Sequence, residues 1–163
     1  MLTQQRLHEL FDYQDDGNLI WKVNKARAKA GDVAGCEAAC NGIVYKQVKV
    51  DGKIYKLHRL VFAWHHGFMP AYVDHKDRNG LNNRIDNLRE ATQSQNMQNC
   101  KMKRSNTSGE RNVYWHARAC RWFVRLSIGG RTKNFGTYES LEEASLVAHL
   151  AREKHFGEFA RHQ

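Results

Sequence analysis

The stretch from residue 43 to residue 70 constrains this chain more than any other. Ile43 to Val50 and Lys53 to Leu57 flank Asp51-Gly52 with alternating apolar residues, the strongest short-range signal for a two-residue β-hairpin. The period then changes from two to 3.6. Leu57, Leu60, Val61 and Trp64 fall at i, i+3, i+4 and i+7, one face of a helix. Gly67 suits a left-handed helix cap, and Pro70, the only proline, bars continuation. A hairpin running straight into an amphipathic helix points to an α+β fold. Upstream, Leu19-Ile20-Trp21 follows the turn-like Asp15-Asp16-Gly17-Asn18 and reads as a short strand.

Downstream of Pro70 the chain turns polar and rich in Asp, Asn and His. Val73-Asp74-His75 reads as a short strand, Lys76 to Asn87 as a long loop, and Leu88 to Ala91 as the returning strand. Thr92 and Gln95 have capping-box spacing, so a short helix carrying Asn96 and Asn99 should follow. In the last third, Arg121 to Leu126 is a strand by composition. Trp122, Val124 and Leu126 take one face; Arg121, Phe123 and Arg125 take the other. Gly129-Gly130 turns into Arg131–Phe135. Ser140 and Glu143 cap a helix with Leu141, Ala144, Val147, Ala148, Ala151 and His155 on one face, ended by Gly157. Its alanines suit close packing on the Trp122 face, which leaves the arginine face open.

Charge says what that open face meets. The 163 residues carry a net charge of +9. Residues 101–135 hold nine Lys or Arg and one acid, Glu110, interleaved with Tyr114, Trp115, Trp122 and Phe123. That is the electrostatic footprint of a nucleic-acid binder. No long uncharged apolar run exists for a membrane span. Four cysteines without a CxxC pair, and no apolar stretch at Met1–Arg6, imply reduced thiols and a cytoplasmic protein.

Asp74-His75, Asn87 and Asn96 are the residues with chemistry to offer. Cutting a phosphodiester needs a base near neutrality, which an imidazole supplies. It also needs a hard cation to neutralise charge on the phosphate, and carboxylate and amide oxygens suit Mg²⁺ or Mn²⁺. Asn87 in the loop suits the tying of backbone groups.

The residues also carry a family likeness. Leu57-His58-Arg59-Leu60-Val61, Val73-Asp74-His75-Lys76-Asp77, Asn82 to Arg89 and Gln95 to Asn99 together resemble the phage and homing-type HNH nucleases over about residues 5–100. The resemblance implies a strand–strand–helix metal fold, preceded by a small hairpin and helix. It implies His75 as general base, Asp74 and Asn96 as ligands of Mg²⁺ or Mn²⁺, and Asn87 as the structural asparagine of the catalytic loop. Asn96 stands where many relatives have His. His58 matches a family residue and is expected to serve structure or a phosphate contact.

A second likeness covers about residues 105–160. Asn106-Thr107-Ser108-Gly109, Val113-Tyr114-Trp115, Arg121-Trp122, Phe135 to Tyr138 and Leu141 to Ser145 resemble an APETALA2-type DNA-binding domain. This implies a three-stranded sheet backed by one helix and laid in the major groove. Asn112 stands in place of the family's glycine before the first-strand valine. Arg111, Tyr114, His116, Arg118, Arg121 and Arg125 are expected near DNA, with Arg131 and Lys133 on phosphates. The expected organisation is a nuclease domain at 1–100, a basic linker at 101–109 and a DNA-binding domain at 110–163. The expected protein is a monomer or weak dimer in a bacterial host, phage- or prophage-encoded, that nicks or breaks double-stranded DNA without a small-molecule cofactor. The rival expectation is a regulator that binds DNA without cutting it.

Overall fold

The structure is a computed structural model that describes residues 2–25, 27–40, 42–99, 102 and 105–162. Lys101, Lys103 and Arg104, all the charged residues of the expected basic linker, lie outside the described residues. Contacts divide the chain into two compact units, Met1–Thr92 and Gln93–Gln163. No described helix is long and apolar enough to cross a membrane.

The first unit opens with α1 (Gln4–Leu10), β1 (Phe11–Tyr13) and β2 (Leu19–Trp21), followed by β3 (Cys36–Cys40), β4 (Ile43–Val50), β5 (Lys53–Lys56), α2 (Leu57–His66), β6 (Tyr72–His75) and β7 (Leu88–Ala91). Strands β1 and β2 pair as a ribbon, β3, β4 and β5 form an antiparallel sheet in that order, and β6 and β7 pair as a second ribbon. The β4–β5 turn is the one expected: Asp51 (φ 46°) and Gly52 (φ 82°) both sit in the left-handed region, as a turn matching the strand twist requires. Leu57, which the sequence offers both as the last strand residue and as the first of the helical period, opens α2. It is fully buried, and the hydrophobic period claims it for the helix. Gly67 caps α2 in the left-handed conformation, its N–H donating to the Ala63 carbonyl.

The core of this unit gathers Leu7, Leu10 and Phe11 against Leu57, Leu60 and Val61, with Leu19, Trp21, Val48 and Val50. The α1–α2 contact is pinned by polar bonds as well. The Gln4 amide donates to the Trp64 carbonyl at 2.9 Å and the Trp64 indole to the Phe11 carbonyl at 3.3 Å. Burying a leucine or phenylalanine in such a cluster contributes about 1.5–3 kcal/mol.

The second unit contains α3 (Gln93–Asn99), β8 (Val113–His116), β9 (Arg121–Ile128), β10 (Arg131–Tyr138) and α4 (Leu141–Phe156). The sheet order is β10-β9-β8, all antiparallel. Ser140 caps α4 by accepting from the Glu143 N–H at 3.2 Å. Ala144, Ala148 and Ala151 pack with Val113, Val124 and Leu126 to form a second core. Asn112, just before β8, has φ 67°, a conformation asparagine tolerates better than most residues.

Candidate active site

Two antiparallel strands and the loop between them build the site. In the β6–β7 ribbon, Asp74 lies opposite Arg89 and His75 opposite Leu88. Opposed residues share a face, and neighbours along a strand do not. Asp74 therefore projects toward Arg89, and His75 to the other side.

Arg89 donates to Asp74 Oδ2 twice, from Nε at 3.0 Å and Nη2 at 2.8 Å. Both bonds converge on one oxygen, and bonds between two charged groups are the strong ones. The side chains are 11% and 7% exposed, so this is a nearly dry ion pair.

His75 is buried against two other rings. Its plane meets His58 edge-on with centroids 4.8 Å apart, and Tyr45 lies 6.1 Å away. His75 Nε2 is 3.1 Å from Asn83 Oδ1. Burial pushes the His75 pKa below the ordinary imidazole value, although Asn83, Asp77 and Asp74 pull the other way. His58 is pushed down to about 2 by burial first, then by His75, Lys56 and Arg59. Both rings are thus uncharged near neutrality. His58 is 4% exposed, and its Nδ1 is buried without a hydrogen-bond partner.

The loop from Lys76 to Asn87 is held from within. The Asn87 amide donates to Asp77 Oδ1 at 2.9 Å and to the Asn82 carbonyl at 2.8 Å, and its oxygen accepts from the Asp77 N–H at 3.0 Å. Asn87 is therefore spent on loop closure, the structural part of its expected role. Burial works to raise the Asp77 pKa, but bonds from the Asn79 N–H, Asn82 and Asn87 hold it below the usual carboxylate range. The loop is also braced from outside. Tyr13 Oη accepts from the Ile85 N–H at 3.1 Å. A Cβ on Gly17, at φ 88°, would stand 2.4 Å from Arg84 N and 2.5 Å from Asn83 C. A Cβ on Gly80 would stand 2.4 Å from the Val44 carbonyl oxygen and 2.9 Å from the Tyr45 ring. The β1–β2 ribbon and β4 thus clamp the loop from two sides.

A hard cation fits this donor set in part. A carboxylate offers about four acceptor positions, and Mg²⁺ commonly takes one or two protein carboxylates plus substrate phosphates. Asn96 lies on α3, in the second unit. Elsewhere, among the described residues, His149, Glu153 and His162 bring donor atoms within 4.8 Å of one another. The two imidazoles, however, stack at 3.4 Å and 10°, so a shared cation would sit out of both ring planes, and Arg152 Nη2 faces His162 Nδ1 at 3.5 Å.

The second unit separates the residues expected near DNA into groups. Tyr114 and His116 lie opposite Phe123 and Arg121, so they share the face away from α4 with Arg125. Tyr114 is 51% exposed. Arg125 lies over the Phe123 ring at 5.2 Å, and Arg121 is tied to Glu139 at 2.7 Å. Arg118 is exposed in the β8–β9 turn, and Arg111 precedes β8 with its carbonyl accepting from Arg152 Nη1 at 2.6 Å. Arg131 and Lys133 lie opposite Ile128 and Leu126, which puts them on the α4 side of an edge strand, apart from the Arg121–Arg125 face.

Asn83 and Arg89 fall inside the Asn82 to Arg89 stretch, where residue type alone gives them no role. Their signal lies in the pairing register and in burial, neither of which a linear pattern reveals. Tyr45 carried no signal at all.

Against known proteins, a family model described as HNH endonuclease matches residues 55–98, the span from the end of β5 through α3. Protein 3.8 of Escherichia phage T7 is 38% identical over 90 residues, 55% of this chain and 74% of that protein. An uncharacterized HNH endonuclease of Acanthamoeba polyphaga mimivirus is 38% identical over 108 residues, 64% of this chain and 55% of that protein. No solved structure matches significantly.

Proposed function

Because the chain belongs to the HNH endonuclease family, we propose that it hydrolyses phosphodiester bonds in duplex DNA, cutting one or both strands at sites chosen by its second unit. The observation that carries this reading is His75: an uncharged, buried imidazole, anchored at Nε2, one residue from a carboxylate. A neutral imidazole takes a proton from an attacking water near pH 7. Its low pKa keeps it in the accepting form, and its burial among His58, Tyr45 and Asn83 fixes the ring before substrate arrives. Asn87 and Asp77 hold the loop that shapes the phosphate approach.

Asp74 is the proposed protein ligand for Mg²⁺ or Mn²⁺, which would supply charge neutralisation at the phosphate and the leaving oxygen. Asn96 as a second ligand rests on the family resemblance alone. Site choice is assigned to an APETALA2-type module. A three-stranded sheet backed by α4, with Tyr114, His116, Arg121 and Arg125 on its open face, supports this, as does the positive φ of Asn112 where that family has glycine. Arg111 and Arg118 flank that face, whereas Arg131 and Lys133 lie on the α4 side of the edge strand, away from it. The homing-type likeness and the phage relative favour action in the cytoplasm of a bacterial host.

Supercoiled plasmid incubated with the full chain and Mg²⁺ should become nicked or linear, and excess EDTA should abolish this. Binding to duplex DNA with no cleavage under any divalent cation would convert the reading to a regulator.

A further inference from the structure

We infer that Asn83 fixes the tautomer of His75 and so makes Nδ1 the nitrogen that takes up the proton, a positioning role that rests on the nuclease reading above. The chain of constraint starts at a backbone carbonyl, which can only accept. Asn83 Nδ2 donates to the Leu81 carbonyl at 3.3 Å, and this fixes which end of the amide faces which way. The reversed amide would set two acceptor oxygens against each other and forfeit that bond. With Nδ2 committed, Oδ1 faces His75 Nε2 at 3.1 Å. An amide oxygen only accepts, so Nε2 carries the hydrogen. A neutral imidazole carries one, and Nδ1 is left with the lone pair.

The surroundings hold each link in place. Asn83 is 1% exposed, so bulk water does not compete for its amide. The Leu81 N–H donates to Asn79 Oδ1 at 3.1 Å, which steadies the carbonyl at the head of the chain. The close approach of Gly17 to the Asn83 backbone leaves that residue little room to turn. A ring with the opposite tautomer would aim an N–H at the water it has to deprotonate, and the base would be lost although every side chain was present.

The test reads the tautomer without relying on cleavage. In the full chain labelled with ¹⁵N, free of metal and DNA at neutral pH, long-range ¹H–¹⁵N spectra should report His75 protonated at Nε2 and bare at Nδ1. Asn83→Asp keeps an acceptor oxygen and should preserve that pattern. Asn83→Leu should give a mixture of tautomers, with kcat for plasmid cleavage lowered about tenfold or more and KM little changed. A resting His75 protonated at Nδ1, or an Asn83→Leu protein with the parent tautomer, would overturn the inference. The expected tautomer in a protein that never cuts DNA would defeat the nuclease reading and leave this assignment standing.

Discussion

Replacing Arg89 with methionine isolates the role of the Asp74 ion pair. Methionine roughly keeps the length of the buried stem and removes the guanidinium. The two bonds to Asp74 Oδ2, at 3.0 and 2.8 Å, disappear, and the carboxylate stays in a site where it is 7% exposed. Breaking one partner of a buried pair costs about 3–5 kcal/mol, mostly because the other charge is stranded. Against a total stability of about 5–15 kcal/mol, the variant stays folded but loses a large share of its margin. Urea unfolding followed by far-UV circular dichroism measures the loss. The double variant Asp74→Asn/Arg89→Met should recover much of it, since no stranded charge remains. Arg89 also shares Asp74 with the proposed cation, so Arg89→Met should lower the Mg²⁺ concentration needed for half-maximal cleavage. A single variant within about 1 kcal/mol of the parent would refute the reasoning, because it would mean that Asp74 is satisfied without Arg89.

Other expectations follow from the same geometry. Gly80→Ala puts a Cβ 2.4 Å from the Val44 carbonyl oxygen, so the loop must shift; cleavage should drop sharply and hydrogen exchange of loop amides should rise, whereas unchanged kinetics would show that β4 does not brace the loop. Acidification should destabilise the first unit. His58 is neutral in the fold down to about pH 2 but protonates below about 6.5 when unfolded, so the unfolded chain binds more protons throughout that window. Stability should therefore fall by up to about 1.4 kcal/mol per pH unit below 6.5, and His58→Phe should show a shallower slope in urea titrations at pH 7 and pH 5. In DNA binding, Arg121→Ala and Arg125→Ala should each reduce the slope of log K against log salt by about one, with a smaller change for Arg131→Ala or Lys133→Ala on the other face; equal changes at all four would contradict the strand register.

Much of this architecture was legible from local pattern. The Asp51-Gly52 hairpin, the α2 period, the Gly67 cap and the Ser140 cap are short-range devices, and each sits where its chemistry demands. The elements that escaped depend on partners distant in sequence. α1 has only Leu7 and Leu10 as buried positions, too few to show a period in seven residues. β3 reads Cys-Glu-Ala-Ala-Cys, without alternation, and is a strand because β4 pairs with it. The site divides in the same way. Asp74-His75 and the loop asparagine were readable as residue types in sequence, whereas Arg89 opposite Asp74 and Asn83 beneath His75 required the ribbon register and the loop path. Arg131 and Lys133 have the right charge, and only the pairing with Ile128 and Leu126 reveals which face they occupy.

The most direct measurement is the single-turnover rate of plasmid cleavage by His75→Ala in saturating Mg²⁺. Loss of a positioned general base should slow the reaction by about 10²–10⁴-fold while DNA affinity stays near the parent value. A rate within twofold of the parent would show that His75 does not take the proton, and the site built around it would need another purpose.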